Sequence, residues 1–550
     1  MLENVQKPSR YVGNELNAVH KDWDKATLKF VLAYPDTYEI GMSNLGLQIL
    51  YHILNDQADV LAERVFAPWP DREEQLKSQN EKLKSLESLK PIQEFNVVGF
   101  SLGHELTYTN IVTMLKLGGL PLYSKERGEK DPLVLGGGPC AFNPEPVADF
   151  FDFFVIGEAE EVLLEIVAVL SNGKRVTRNE QKLALAGIPG VYVPGISQKV
   201  TKRYVKELTT APYPLHPIVP FIEAIHDRAA VEIMRGCKWG CKFCQAGWTY
   251  LPVREKKMET LLQQADALLT NTGHDELSLI SLSSSDYSRI DELARTLAKK
   301  YAPQRINISL PSLRINSFSV KLAKEVARVR SSSITLAPEA GTQRLRDVIG
   351  KKMTEEEIIE GVKAVFAEGI DAVKLYFMIG LPTETDDDLA GLCALADRIY
   401  QLGRTYTKRV RVTVNLSTFV PKPHTPFQWE RQITIDETLA KQRFIKQQLA
   451  NKRIELRWHQ AEASFLEGVF SRGDRQLSKV IEKAWELGAR FDAWSEHFKF
   501  DLWQKAFVEC GLDPASYLAA KSETSPLPWD YIDTGISKKA LFNAKDKNSL

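Results

Sequence analysis

The fold class this sequence predicts is α/β: a Rossmann-like parallel sheet, then a partial (β/α)6 barrel of TIM type, then a helical C-terminal extension. Three observations predict it. Short apolar runs ending in glycine alternate with helical patterns over residues 1–170. Six more apolar runs, separated by amphipathic segments, lie within 224–430. After 431, aromatic residues recur at helical spacings. Residues 171–223 form the connecting segment.

In the first unit, Leu28–Ala33 has strand character and ends at the turn Tyr34-Pro35-Asp36. Gly41 then opens a run of helical periodicity to Leu54. Asn96–Ser101, Pro132–Gly136 and Phe153–Gly157 repeat the pattern of strand followed by polar or glycine residue. Such alternation implies a parallel sheet with a ligand crevice at its carboxyl edge. The run Gly136-Gly137-Gly138 permits close backbone approach, either to a ligand or within a tight turn. Arg72 to Lys90, periodic in leucine and lysine, reads as an exposed helix. The prolines at 189, 194, 212, 214, 217 and 220 deny the connecting segment regular ladders, so it reads as a small β-rich bridge.

The second unit offers Ala229–Met234, Leu277–Leu282, Asn307–Leu310, Ser332–Ala337, Ala372–Met378 and Arg411–Thr418 as strands. Thr354-Glu-Glu-Glu357 reads as a capping box opening a helix, and Ser288-Arg-Ile-Asp291 as a similar start. Chemistry in such barrels sits at the carboxyl ends of the strands. There, after the first strand, stand Cys237, Cys241 and Cys244, half of all six cysteines, spaced C-x3-C-x2-C. Three thiolates can hold three irons of a four-iron cluster and leave one iron open, whereas electron-carrying clusters usually take four. The competing reading is structural zinc, with His226 as a fourth ligand. Cys140, Cys393 and Cys510 stand alone and read as buried small hydrophobes.

With Phe243 as its aromatic, the cysteine motif resembles the signature of radical S-adenosylmethionine (SAM) enzymes. That resemblance implies a [4Fe–4S] cluster on the three cysteines and SAM on the open iron. It also implies a reductant protein such as flavodoxin or ferredoxin. By the same resemblance Ser284, Ser285 and Asp286 after the second strand meet the SAM amino group, and Arg314 after the third meets its carboxylate. Glu339 after the fourth strand resembles a ribose contact, and Gly380 after the fifth lies beside adenine. Serines in place of G-G-E are a departure from the family pattern.

Gly136-Gly-Gly138-Pro, Asn143-Pro-Glu-Pro146 and Asp152–Glu160 make the first unit similar to the B12-binding domain that precedes many radical SAM cores. The full chain resembles a family of B12-binding radical SAM proteins of unassigned reaction. Gly41, Ser101, Gly136, Gly137, Gly138 and Glu158 are its candidate cobalamin contacts. The D-x-H-x-x-G motif is absent: His104 follows the strand ending at Ser101, but Leu102 stands two positions before it. The resemblance therefore leaves cobalamin binding open. If it binds, methyl transfer to an unknown substrate is implied; sulfur insertion would call for a second cysteine set, and only Cys140 is on offer.

Charge balance is even, 71 basic against 71 acidic residues, so no bulk field draws the chain to nucleic acid. The alternative from another class, a zinc-stabilised RNA- or protein-binding module, gains nothing from it. The N-terminus lacks an apolar signal region and no span suits a bilayer, so a cytoplasmic protein with no membrane partner is expected. His424 could face the site, Leu466–Arg475 could close over it, and Pro526–Asp530 reads as a docking turn.

Overall fold

The computed structural model describes residues 2–171, 177–311, 333–450 and 453–546. In the first unit β1 (Leu28–Tyr34), β2 (Val60–Phe66), β3 (Val97–Ser101), β4 (Leu133–Gly137), β5 (Phe153–Val155) and β6 (Val191–Tyr192) form one sheet in the order β2-β1-β3-β4-β5-β6. All pairs are parallel except β5–β6. β2 is buried at every position, as expected of a strand covered on both faces. The strand order reverses between β1 and β3, which opens a crevice at their carboxyl ends.

The connecting segment is less β-rich than its prolines imply. It carries the helix Arg178–Ala186, held by a Thr177/Glu180 capping box, and β7 (Val200–Thr201). Arg72–Lys90 also departs from expectation. The helix covers Pro70–Ser78 alone, and Leu76, Leu83, Leu86 and Glu87 are buried, because the segment packs under the first sheet instead of lying in solvent.

All six expected barrel strands are present: β8 (Ala229–Glu232), β11 (Glu276–Ile280), β12 (Asn307–Ser309), β13 (Ile334–Glu339), β14 (Ala372–Ile379) and β15 (Arg411–Thr418). Between β8 and β11 come a two-residue pair, β9 (Met234–Arg235) and β10 (Arg254–Glu255). β8, β11 and β12 form one parallel sheet. β13, β14 and β15 form another, extended by a seventh strand, β16 (Ile454–Trp458), in a region read from sequence as helical. The Thr354/Glu357 capping box opens the helix Glu355–Ala367 as expected. Ser288 caps nothing: its hydroxyl donates to Glu255, and Arg289 takes the N-cap position without a side-chain bond.

Leu277, Leu279 and Ile308 pack with the covering helices, as do Leu375, Phe377, Val412 and Val414. Period-two alternation therefore turns Ser278, Asn307, Ser309, Tyr376 and Asn415 to the opposite, inner face.

The C-terminal extension is not a separate core. Phe470, Val480, Trp503 and Phe507 share one cluster with Val98, Ile111, Met114 and Phe150 of the first unit. β17 (Ile532–Asp533) pairs with β7, and Trp529 of the docking turn is buried and donates to Gln428 at 2.7 Å. Leu466–Arg475 is no lid. Ser471 and Arg472 are buried, and Asn143 donates to the Ser471 and Gly473 carbonyls. Among the described residues no helix is long and apolar enough to cross a membrane.

Candidate active site

The cysteine loop leaves β9 and turns at Gly236 (φ +89°) and Gly240 (φ +65°). A side chain at Gly236 would meet the Tyr250 and Pro252 carbonyls at 2.9 Å, so the loop closes tightly on its own exit. Cys244 caps the short helix Gln245–Thr249, its sulfur accepting from the Gly247 N–H at 3.4 Å. Trp248 donates to the Cys241 carbonyl at 2.9 Å. Burial pushes the Cys241 thiol up to about 11 and raises Cys244. Lys351 works the other way on both, whereas neighbouring thiols and Glu339 add to the rise, which places all these groups in one electrostatic neighbourhood. Ligand binding by such thiols displaces their protons.

A single zinc ion at ~2.3 Å from each thiolate would draw the sulfurs to within about 4 Å of each other. Among the described residues, the group of three potential ligands that converges within 4.8 Å is His104, Glu105 and Glu467, not the cysteines. Even there, Lys422 Nζ sits 2.7 Å from Glu105 and 2.8 Å from Glu467 and supplies the positive charge itself. His226 is turned elsewhere: its backbone N–H donates to Ser43 and its Nδ1 faces Arg228. The three thiols therefore do not all converge within 4.8 Å in this structure.

The remaining sequence candidates divide. Asp286 reaches the cysteine loop, paired with Lys238 at 3.1 Å and accepting from Trp239, so it braces the loop instead of standing open to a ligand. Ser284 is buried and donates to the Leu279 carbonyl at 3.1 Å; Ser285 lies in the same 3-10 turn. Glu339 sits at the end of β13 at φ +66°, 3.3 Å from Lys351, and burial raises its carboxyl above the usual range. A non-glycine residue in the left-handed region stores strain of the kind found at functional sites. Phe243 packs with Leu381, Phe419 and Phe427 beneath the loop. Gly380, at φ +78°, donates its N–H to Glu384 at 2.9 Å, and a side chain there would strike Ile433. Arg314 lies outside the described residues. His424 does not face the site: it is buried, bonded to the Phe142 carbonyl at 3.0 Å, and burial lowers its pKa to about 4.

Sequence reasoning missed the inner face of the barrel. Among the described residues, Ser278 Oγ, Asn307 Oδ1, Ser309 Oγ and Asn415 Nδ2 are buried without hydrogen-bond partners. Tyr376 is 44% exposed although β14 is flanked by strands on both sides. Buried polar groups left unpaired are costly, and here four of them fall on the inner face of the barrel strands. Only the period-two alternation of polar and apolar residues in β12, β14 and β15 could have signalled it.

A second concavity of about 550 Å³ lies at the carboxyl ends of β1, β3, β4 and β5. That size is within the roughly 300–1,000 Å³ of small-molecule sites. Ser101, Gly137, Gly138 and Glu158 line it, as does His104. Gly138 stands at φ +110°, with the Leu102 carbonyl 2.9 Å from where a side chain would begin, so only glycine fits. Gly41 and Gly136 do not line the cavity. A side chain on either would collide with the Phe66 or Phe154 ring, so their role is close packing. The far wall comes from the barrel, as Glu232, Arg235 and Tyr250. Arg235 bridges Glu158 and Glu160 at 2.9 Å each and Glu232 at 2.8 Å, while Arg254 holds Glu158 at 2.7 Å.

Residues 231–396 match the model of the radical SAM superfamily, and residues 46–194 match that of the N-terminal region of radical SAM proteins. The chain belongs to the radical SAM superfamily. It is 28% identical over 455 residues to an uncharacterised protein of Methanocaldococcus jannaschii, covering 82% of this chain and 90% of that one. An uncharacterised methyltransferase of Pyrococcus horikoshii is 23% identical over 50% of this chain and 60% of its own. Among solved structures, the radical SAM methyltransferase TsrM from Kitasatospora setae, with cobalamin and a [4Fe–4S] cluster bound, shares the fold. Its TM-score is 0.50 at 15% identity, over 75% of each chain.

Proposed function

We propose that this radical SAM enzyme holds a [4Fe–4S] cluster on Cys237, Cys241 and Cys244, SAM in the adjoining lumen and cobalamin in the cavity of the first sheet. The substrate is then a methyl acceptor entering the barrel. The observation that carries this reading is the cavity of the first sheet, whose far wall includes Arg235 and Tyr250, the residues on either side of the cysteine loop and its short helix. When bound, the cluster supplies the electron that cleaves SAM, and cobalamin carries the methyl group.

The chain's own part is placement. Asp286 holds Lys238 and Trp239, which ties the loop to the end of β11. Glu339 and Lys351 form a charge pair beside Cys241, suited to a ligand's hydroxyl and carboxylate groups. Ser278, Asn307, Ser309 and Asn415 offer unpaired donors and acceptors to a polar ligand in the lumen. In the cavity, Gly137 and Gly138 let backbone approach a flat, bulky ligand, and His104 has its Nδ1 engaged by the Leu106 N–H at 3.1 Å. The Pyrococcus relative's methyltransferase description and the two cofactors of the Kitasatospora enzyme support the same reaction class.

Anaerobic reconstitution tests the cofactor set. The expected protein carries about four irons and four sulfides per chain, and after incubation with hydroxocobalamin and desalting it keeps the corrin absorption. Zinc without acid-labile sulfide would overturn the cluster. A visible spectrum identical to that of the untreated cluster protein would overturn cobalamin and methyl transfer.

A further inference from the structure

The cavity of the first sheet and the cysteine loop share residues. Arg235 precedes Cys237 by two positions, and Tyr250 follows the helix that Cys244 caps; both line the cavity. Gly236, between Arg235 and Cys237, packs on the Tyr250 carbonyl. Both flanks of the loop are therefore one wall of the cavity, pinned together at their base.

The pin is an ion network. The Arg235 guanidinium is 11% exposed and takes Glu158 and Glu160 from the first unit and Glu232 from β8. Glu158 also accepts from Arg254 of β10 and from the Val205 N–H. Glu158, Glu160, Glu232 and Arg235 all line the cavity. Charges desolvated to this degree hold their geometry rigidly, since removing one partner strands another.

We propose that Arg235 is a positioning residue that couples the two cofactor sites: filling the cysteine loop sets the cavity wall, and filling the cavity steadies the loop. This rests on the cofactor assignment above. Without the cluster the loop rests on its protein contacts alone, Asp286 with Lys238 and Trp239 and the Arg235 network, and a cavity ligand must bear the cost of holding the rest of it. With the cluster in place that ordering is already complete, so the ligand binds more tightly. Linkage makes the effect reciprocal.

The test is a hydroxocobalamin titration by visible absorbance, on cluster-free and cluster-loaded full-length protein. The account expects the loaded form to bind about tenfold more tightly or better, a coupling of ~1.4 kcal/mol. Reciprocally, corrin-bound protein should lose iron to a chelator several-fold more slowly. Arg235→Gln, and the milder Glu160→Gln, which leaves the Glu158–Arg254 pair, should reduce the affinity ratio to near one. Both residues line the cavity, so each variant's two forms are compared with each other and not with the parent. Equal affinities in the two parent forms would overturn the proposal, and so would a ratio unchanged in both variants. Absence of corrin binding in every form would instead overturn the cobalamin reading and this coupling with it.

Discussion

The two faces of the first unit are built in opposite ways. Where it meets the C-terminal extension, an apolar core is ringed by hydrogen bonds and by the ion pairs Glu145–Arg475 and Glu73–Arg490. Asp492 accepts from Thr109 and from Trp503, Trp485 donates to Thr113, and Phe470 packs against the Tyr108 ring. Where it meets the barrel, the contact is a cavity with a largely apolar floor and a charged side made by Glu158, Glu160, Glu232 and Arg235, and Arg235 stands two positions before the cysteine loop's first thiol. The first face fixes how the units sit; the second keeps space and charge for ligands. A molecule organised this way should lose stability through one face and cofactors through the other.

The largest effect should follow from Cys241→Ala. Reconstituted iron should drop well below the parent's, and SAM cleavage should fall by a hundredfold or more, with little change in melting temperature. Next is Trp503→Ala at the opposite face. Truncating a fully buried tryptophan costs about 3–5 kcal/mol, visible as a lower denaturant midpoint, while the folded variant still assembles its cluster. A smaller effect comes from pH. His424 is held neutral by burial, with a folded pKa of about 4 against an ordinary 6.5. Its folded pKa is depressed, so its contribution to stability is full above pH 6.5 and shrinks as pH falls towards 4. The limit is on the order of 3 kcal/mol. Unfolding midpoints measured from pH 7 to 4 should show this slope, and His424→Gln should flatten it. Cluster loss in Trp503→Ala at full folding would erase the contrast between the faces.

The cysteine motif and the six barrel strands were legible because each rests on local spacing: C-x3-C-x2-C, and apolar runs bounded by capping residues. Gly138 was legible for the same reason, since its backbone conformation is a local demand. Gly41 and Gly136 look identical in sequence, yet what they avoid is a ring brought from another element. The partners of His424 and Asp286, Phe142 and the Lys238–Trp239 pair, lie 282 and 47–48 positions away, where no local pattern shows them. β16 was missed because its apolar residues are only two, Ile454 and Leu456, before the closing tryptophan. The aromatic run after Trp485 carried the right period, but periodicity does not say which core a helix joins.

The most direct test of the central claim is 5′-deoxyadenosine formation from SAM by the anaerobically reconstituted full-length chain with a strong reductant. The account predicts its release by the parent and its loss in Cys237→Ala, Cys241→Ala and Cys244→Ala alike. A protein that holds its cluster and still forms none would contradict it.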